Sequence, residues 1–416
     1  MPKPPSSHKK LALVLSGGGA RGAYEAGILH YIRTMLPKKA RRRHFDIHCG
    51  ASVGAINTCY MASTANDPER QGKELHRVWE ELKTDDIYRR DTRALLDFLS
   101  RSSSGIVLNI FRRRGKHPHF HGFLDTSPFH PFVQRVIPWP TISRNIRSGI
   151  VQAISIVATN VFTGRMELFI EKNPRTDYKG DNIVHYTRIQ PIHAMASAAI
   201  PLVFPTIMID GIAYTDGGLR LNTPLSPAIH LGADAILVIG LHHRAGPGEK
   251  IPFHGIRGQP PALGQVLGRV MNSIFLDRIN NDMEQLVRIN RLLDWSESLY
   301  GKRFLPDLNA LIRKNRKKKD RHDMMAARGL KRIGFLRIRP SEDIGEIFSH
   351  CYRHGRKEHL TAFEKFLVRF LDIDPTAGID FLSYISFMPQ YLKKLLELGF
   401  EDGKRHHNDL KEFLEQ

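Results

Sequence analysis

Cysteine is scarce in this chain, and the patterns that cysteine usually forms are missing. The 416 residues include three cysteines, an odd number with no C-x-x-C pair: Cys49, Cys59 and Cys351. This composition argues against a disulfide framework and against a thiolate zinc site. It favours a reducing compartment, and we expect a cytoplasmic protein.

Long hydrophobic runs are also missing. The first ten residues, MPKPPSSHKK, are basic and rich in proline and serine, and the apolar run Leu11–Leu15 after them is too short for the core of a signal peptide. Residues 192–209 are almost uncharged, but Pro201 and Pro205 argue against a transmembrane helix. We expect a disordered basic tail over residues 1–10 and buried core at 192–209.

Acidic residues are too few to balance the basic ones. The chain has 42 Asp and Glu against 62 Lys and Arg, a net charge of +20. The basic residues concentrate at 38–43, 112–116 and 313–321, without interleaved aromatics or a nucleic-acid-binding motif, so no nucleic acid partner is expected. Each run fits a solvated loop, and together they fit peripheral contact with an anionic membrane.

The remaining patterns predict one large catalytic core followed by an extension, as the length allows. The run Leu11–Leu15, a helical pattern over Gly22–Met35 and a second apolar run at 45–49 form a βαβ opening, typical of a mostly parallel sheet between helices. We expect an α/β catalytic domain over residues 11–245.

Two other regions differ from this alternating pattern. Residues 90–140 are rich in Arg, His, Pro and Phe, and we interpret them as an insertion over the core that would act as a lid. Residues 246–416 are predicted to form a mostly helical extension, in which the apolar run at 332–338 indicates a strand that rejoins the sheet.

The sequence HCGASVGAIN contains a G-x-S-x-G motif between a predicted strand and a predicted helix. Ser52 stands at its centre, with Gly50 and Gly54 on either side. Strand-to-helix turns of this kind are tight, so small residues are needed for strand and helix to pack, and the serine hydroxyl projects above the sheet edge. Ser52 is therefore the candidate nucleophile.

A glycine-rich turn, SGGGARG, joins the first strand to the first helix. Such a turn can point backbone amides at the oxyanion of an acyl-transfer reaction with little steric hindrance. The predicted oxyanion site comprises Gly17, Gly18, Gly19, Ala20, Arg21 and Gly22. The Arg21 side chain would either add positive potential there or lie exposed on the helix.

The same turn reads literally as G-x-G-x-x-G, so a dinucleotide site is the competing interpretation. That site requires an acidic residue at the carboxyl end of the second strand. Asp46 stands at the beginning of that strand, and its carboxyl end carries Ser52.

A carboxylate follows a later short β run, at Asp216 before Gly217 and Gly218. A partly desolvated carboxylate has a raised pKa and can take the Ser52 proton directly. An ordinary Asp-Gly turn is the structural alternative.

In this order the three elements resemble the patatin-like phospholipases, whose marks are a glycine-rich turn, a G-x-S-x-G elbow and a D-G-[AG] aspartate. The resemblance extends through ASAAIPLVFPTIMIDGIAYTDGG at residues 196–218 and LDTSPF at 124–129, and more loosely to FLDRINNDMEQLVRINRLL at 275–293 and SYISFMPQYLKKLLELGFEDG at 383–403. It implies a three-layer α/β/α core and a Ser52–Asp216 dyad that hydrolyses acyl esters of phospholipids or lysophospholipids without metal or cofactor. Amides around Gly18 and Gly19 would hold the oxyanion.

Three alternatives remain at this point. His230, His242 and His243 follow Asp216 in the order of a Ser-Asp-His triad, although the glycine turn follows the first strand rather than the third. The group His117, His119 and His121 suggests zinc but lacks a fourth ligand at finger spacing. A non-catalytic lipid-binding protein would keep the pocket and the basic surface without turnover.

Overall fold

The computed structural model describes residues 9–89, 122, 124–243, 278–315, 329–354 and 382–416. Within these residues, a mixed and mostly parallel sheet runs through the molecule in the order β5-β4-β3-β2-β1-β8-β9, with β7 paired to β3 and β6 to β7. The strands are β1 Leu11–Leu15, β2 Ile47–Ala51, β3 Ala153–Asn160, β4 Met166–Lys172, β5 Ile183–Tyr186, β6 Ile207–Ile209, β7 Ile212–Asp216, β8 Ala235–Ile239 and β9 Gly334–Ile338.

Helices cover both faces of the sheet. Those up to β8 are α1 Gly22–Met35, α2 Lys38–Arg41, α3 Val53–Ser63, α4 Pro68–Glu81, α5 Thr84–Ile87, α6 Phe129–Val136, α7 Trp139–Ser148, α8 Pro191–Ser197, α9 Gly218–Leu221 and α10 Leu225–His230. Those after β8 are α11 Arg278–Tyr300, α12 Phe304–Asn315, α13 Ile344–His354, α14 Leu382–Ile385, α15 Pro389–Arg405 and α16 His407–Glu415.

Strand β1 lies in the middle of the core. A parallel strand that is buried on both faces needs an apolar side chain at every position, and the sequence LALVL provides this. Its five residues are all buried. Leu13 belongs to the hydrophobic cluster that includes residues of α1, α3, α4 and α15, and Val14 to the cluster that includes residues of α10 and α11. The expected three-layer α/β/α arrangement is confirmed.

Part of the extension belongs to this same core. Strand β9 pairs in parallel with β8, with Ile239 opposite Ile338, where the sequence predicted a returning strand at 332–338. Helix α15 packs on α1, with the backbone of Gly27 close to that of Gly399. The division at residue 245 stays a prediction, but the described residues beyond it share the sheet and the core.

The predicted strand at 45–49 moves by two residues. Strand β2 occupies Ile47–Ala51 rather than 45–49, and α3 begins at Val53, so a single residue separates them. Strand β7 continues to Asp216 because its end pairs with β3, where Ala158 lies opposite Asp216. Strand pairing extends both strands up to the candidate catalytic residues.

Other predictions fall wholly or partly outside the described residues. These are the basic tail at 1–8, most of the insertion at 90–140, and the helical pattern at 263–277 and 363–381. Residues 192–209 form most of α8, a turn and β6. The expected burial holds for only part of this segment, since Leu202 and Met208 are 59% and 53% exposed in the turn and on β6. Among the described helices none is long and apolar enough to span a membrane. All three cysteines are free and buried.

Candidate active site

Ser52 stands alone between β2 and α3 and adopts a conformation that few non-glycine residues adopt, with φ 53° and ψ −130°. The strand and helix cross closely at this point. A Cβ atom on Gly50 would lie 2.4 Å from the Gly54 carbonyl oxygen, and one on Gly54 would lie 2.4 Å from that of Leu15. The two glycines of the motif therefore permit the sharp turn that presents Ser52.

Asp216 is the last residue of β7, and its carboxylate meets the serine. Ser52 Oγ donates to Asp216 Oδ2 at 2.5 Å, and the Gly218 amide donates to Oδ1 at 2.7 Å. Asp216 has no exposed surface, and burial raises its carboxyl pKa to about 7 although both hydrogen bonds act to lower it. The carboxylate can therefore exchange a proton near neutral pH.

Gly217 allows the chain to turn beneath this carboxylate. A Cβ atom there would lie 2.2 Å from the Val157 carbonyl oxygen of β3. The close approach of Gly217 to β3 thus holds the aspartate against the sheet. The next amide along the chain, that of Gly218, donates a hydrogen bond to the Asp216 carboxylate.

Some backbone amides of the glycine turn already donate hydrogen bonds to carbonyl groups of the protein. Gly17 donates to the Asn222 carbonyl at 3.0 Å, and Arg21 donates to the Gly18 carbonyl at 3.1 Å. Gly22 donates to the Gly19 carbonyl. Within the described part of the chain, the amides of Gly18, Gly19 and Ala20 have no protein acceptor. Of the six residues predicted for the oxyanion site, these three therefore retain free donors, and Gly19 lines the same cavity as Ser52.

Arg21 is buried rather than exposed on the helix, so that alternative is wrong. It is 3% exposed. Its Nη2 and Nε donate to Ser383 Oγ at 2.6 and 3.0 Å, and its guanidinium carbon lies 3.9 Å from the centre of the Tyr384 ring. The C-terminal part of the chain thus contacts the glycine turn directly.

A buried polar network supports the turn from the other side, and sequence reasoning missed it. Glu25 accepts hydrogen bonds from the Ser16 amide and from Asn57 Nδ2, each at 2.8 Å. Asn57 in turn accepts from Trp79 Nε1 at 2.9 Å. Burial raises the Glu25 pKa to about 8, so this carboxyl is largely protonated at neutral pH. An acid inside the apolar pattern of α1 was the available signal.

Ser197 is a second residue that sequence reasoning left without a role. Its hydroxyl accepts the Ser52 amide at 2.9 Å and donates to the Val157 carbonyl at 2.5 Å. It lies in the run ASAAIP that carried part of the family resemblance. An isolated serine in an apolar run gives no local indication of which backbone it contacts.

A cavity with an almost wholly apolar lining extends from Ser52. Helices α3, α4 and α6 supply most of its walls. The lining residues include Gly19, Ser52, Val53, Ile56, Asn57, Tyr60, Leu75, Val78, Trp79, Phe129, Phe132, Val136, Phe204 and Phe387. Part of the region predicted as an insertion, around α6, therefore lies over the cavity, while residues 90–121 lie outside the described chain.

The structure places Asp46 too far from the glycine turn to serve a dinucleotide site. Asp46 accepts the Leu11 amide at 2.9 Å, at the amino end of β1, whereas the glycine turn follows the carboxyl end of that strand. The strand separates the carboxylate from the turn, so Asp46 cannot serve a ribose bound there.

The histidine alternatives are placed as follows. The Asp216 carboxylate accepts hydrogen bonds from Ser52 and Gly218. His230 is within hydrogen-bond distance of Ser226, and His243 of the Pro340 carbonyl. No histidine completes a triad with Asp216 among the described residues. The group at 117–121 lies outside them, and inside them no cluster of three or more His, Cys, Asp or Glu is arranged to hold a metal ion.

Comparisons with known proteins match the part of the chain that contains this site. The family model described as patatin-like phospholipase matches residues 13–229, which contain Ser52, Asp216 and the glycine turn. A cGAMP-activated phospholipase from Pseudomonas aeruginosa is 26% identical over 212 residues, covering 51% of this chain and 53% of that protein. The calcium-independent phospholipase A2-gamma of Rattus norvegicus is 24% identical over 223 residues, covering 52% of this chain and 25% of that protein.

The alignments thus span about half of the Pseudomonas protein and a quarter of the rat protein. Among solved structures, VipD from Legionella pneumophila aligns with 94% of this chain and 67% of its own, at 12% identity and a TM-score of 0.31. A TM-score this low carries no structural argument.

Proposed function

The chain belongs to the patatin-like phospholipase family, and from this membership and the geometry of the site we propose that it is a serine acyl hydrolase. Its substrates in this proposal are the acyl esters of phospholipids or lysophospholipids. One observation carries the proposal: Ser52 Oγ donates at 2.5 Å to the fully buried carboxylate of Asp216, at the end of an apolar cavity.

Acylation begins with Ser52 Oγ attacking the ester carbonyl carbon while its proton passes to Asp216 Oδ2. The carbonyl oxygen becomes an oxyanion, which accepts hydrogen bonds from the Gly18 and Gly19 amides. When the tetrahedral intermediate collapses, the ester C–O bond breaks and the alcohol leaves with the proton held by Asp216. The acyl group remains on Ser52.

Deacylation repeats these steps with water as the nucleophile. Asp216 takes a proton from the water molecule that attacks the acyl-enzyme, and returns it to Ser52 Oγ as the free fatty acid forms. A carboxyl pKa of about 7 suits both directions of proton transfer, since neither form of Asp216 is strongly favoured at neutral pH.

The cavity supports a lipid acyl chain as the part of the substrate bound beside Ser52. Its lining from α4 and α6 is apolar, including Leu75, Val78 and Phe132. Transfer of a hydrocarbon chain from water to such a surface lowers the free energy and so favours binding.

Peripheral contact with a membrane belongs to the same proposal. Phe162 and Met208 are 75% and 53% exposed. Both lie near Ala213 of β7, since Val161 donates to its carbonyl and Met208 pairs with it. Exposed apolar side chains beside the catalytic strand suit insertion into a lipid surface, and the net charge of +20 favours an anionic one. The cytoplasmic location stays a prediction.

A fluorophosphonate probe followed by intact-mass analysis tests the chemistry. One adduct is expected on the wild-type protein, none on Ser52→Ala and far less on Asp216→Asn. Ser155→Ala is the matched control, because Ser155 is buried on β3 and its hydroxyl has no partner among the described residues. It should label like the wild type.

Turnover of phosphatidylcholine and lysophosphatidylcholine, measured by release of free fatty acid, then tests the substrate class. A wild-type protein that takes no adduct, or a Ser52→Ala variant that labels as well as Ser155→Ala, overturns the proposal. Vesicle binding without labelling or fatty acid release would favour the non-catalytic lipid-binding alternative instead.

A further inference from the structure

A segment near the C-terminus, residues 382–387, lies directly on the glycine turn, far outside the family-matched residues 13–229. We call it the C-terminal strap. A Cβ atom built on Gly19 would lie 2.0 Å from the Tyr384 carbonyl oxygen. Gly19 also has φ +57°, in the left-handed region that favours glycine. The turn and the strap are therefore in backbone contact at one of the two glycines with a free amide.

The strap also binds the side chain that ends the turn. Ser383 Oγ accepts two hydrogen bonds from Arg21, at 2.6 and 3.0 Å, and the Tyr384 ring lies under the guanidinium. A buried guanidinium requires such partners, because its charge and its donors have left water. Arg21 follows Gly18 and Gly19 by two or three residues, so its position constrains theirs.

The strap is itself anchored to the catalytic core. Tyr391 donates to the Ser383 carbonyl at 3.2 Å, and Tyr88 donates to the Ile385 carbonyl at 3.1 Å. All of these groups are buried. The strap is therefore held by side chains from both ends of the chain.

At its far end the strap reaches the acyl cavity. Phe387 lines the same cavity as Ser52 and Gly19, and its carbonyl accepts a hydrogen bond from Thr84 at 3.4 Å. An aromatic side chain at this position removes volume that an acyl chain would otherwise occupy.

We propose that the C-terminal strap is a working part of the active site, with Ser383 as a positioning residue and Phe387 as a specificity-determining residue. Ser383 holds Arg21, and Arg21 fixes the Gly18 and Gly19 amides where the oxyanion forms. Phe387 limits which acyl chains fit beside Ser52. This inference rests on the proposed hydrolase function and assigns part of it to residues outside the family match.

The positioning role is tested with Ser383→Ala in the full chain. Oxyanion contacts strengthen in the transition state, so kcat should fall while KM stays nearly constant. We expect a loss of about tenfold, less than the roughly 100-fold effect of removing an oxyanion donor outright. Ser383→Thr keeps the hydroxyl and should restore most of the rate, which a purely packing role would not produce because the added methyl group has to fit.

Ser155→Ala is the matched control. Ser155 is equally buried, on β3 outside the strap, and its hydroxyl has no partner among the described residues. Its kcat should match the wild type. If Ser383→Ala also matches the wild type, or if it raises KM as much as it lowers kcat, Ser383 does not position the turn.

The specificity role is tested with Phe387→Ala on p-nitrophenyl esters from butyrate to palmitate. Removing the ring enlarges the cavity, so kcat/KM for the long esters should rise several-fold relative to butyrate. Phe400→Ala is the control, since Phe400 packs on Tyr31 with ring centres 5.2 Å apart and does not line the cavity. An unchanged ratio of long to short esters in Phe387→Ala would contradict this role.

These outcomes separate the strap from the proposed function. A wild-type protein without a Ser52 adduct overturns the hydrolase proposal itself. An active wild type whose Ser383→Ala and Phe387→Ala variants behave like their controls leaves the hydrolase intact and removes the strap from the active site.

Discussion

The backbone amide of Ser52 donates to the hydroxyl of Ser197 at 2.9 Å. This hydroxyl also donates to the Val157 carbonyl, so it joins the elbow to β3. The amide of the nucleophile is therefore occupied, and the oxyanion donors in the proposed mechanism are free amides of the glycine turn. The same contact stabilises the unusual backbone conformation of Ser52.

Replacing Ser197 with alanine should reduce stability. The Ser52 amide and the Val157 carbonyl would each lose a buried partner, which costs about 1–3 kcal/mol of the free energy of unfolding. Urea denaturation of the variant measures this loss. Ser155→Ala removes a buried hydroxyl that has no described partner, so its free energy of unfolding should change little. Equal values for the two variants would show that the Ser197 contacts contribute nothing.

Activity should rise with pH through about 7 and then level off. The proposed base works as a carboxylate, and burial of Asp216 raises its pKa to about 7, so the active form is depleted below that pH. The pH dependence of kcat/KM on a soluble ester measures this. The Glu25→Gln variant identifies the group, because the buried Glu25 has a pKa of about 8. An inflection that disappears in Glu25→Gln would contradict the assignment to Asp216.

Folding has to be followed over the same pH range. Asp216 and Glu25 both bind a proton more tightly in the folded protein than in an unfolded chain. Each therefore stabilises the fold fully at low pH, and this contribution is lost as pH rises through about 7 and about 8 respectively. The free energy of unfolding should fall across this window, and less steeply in Glu25→Gln.

Gly19→Ala should abolish most activity. The alanine Cβ would meet the Tyr384 carbonyl at 2.0 Å, so the turn or the strap has to move. Gly149→Ala is the control, since Gly149 also has a positive φ, +81°, but a Cβ there meets nothing within 4 Å. Both variants pay the left-handed strain of roughly 1–2 kcal/mol. Ester hydrolysis should fall about 100-fold or more in Gly19→Ala, as when an oxyanion donor is lost, and stay near wild type in Gly149→Ala.

Val78→Trp should shift the substrate range toward short esters. Val78 lines the cavity from α4, and a larger side chain there would fill part of the volume in which we propose that the acyl chain binds. We expect kcat/KM for palmitate esters to fall much more than for butyrate esters. Arg77→Trp places the same side chain on the exposed face of α4 and should leave the ratio unchanged. A uniform loss for all esters in Val78→Trp would indicate general damage instead.

Local patterns predicted the elements nearest the site well. Strand β1 and helix α1 occupy Leu11–Leu15 and Gly22–Met35 as expected, because a buried strand and an amphipathic helix each leave a strong periodic signal. Ser52 and Asp216 were chosen from short motifs, and their side chains are within hydrogen-bond distance in the fold. Their catalytic roles stay proposals.

Contacts between distant parts of the chain were not predictable in the same way. Ser383 and Arg21 are 362 residues apart, and neither residue carries a local signal that names the other. Ser197 likewise contacts backbone groups of Ser52 and Val157, and Asn57 contacts Glu25 and Trp79. The periodic pattern of apolar residues gives no indication of these contacts. Strand β9 was predicted because an apolar run has a local signature, whereas nothing local in the strap indicates that it contacts the glycine turn.

The separation of 362 residues between Arg21 and Ser383 also sets an order of events during protein synthesis. The ribosome makes the glycine turn well before its partner in the strap. Until the strap emerges, the Arg21 guanidinium lacks the Ser383 acceptor that it has in the finished fold. A nascent chain therefore carries Ser52 and Asp216 before the contacts between the strap and the turn can form.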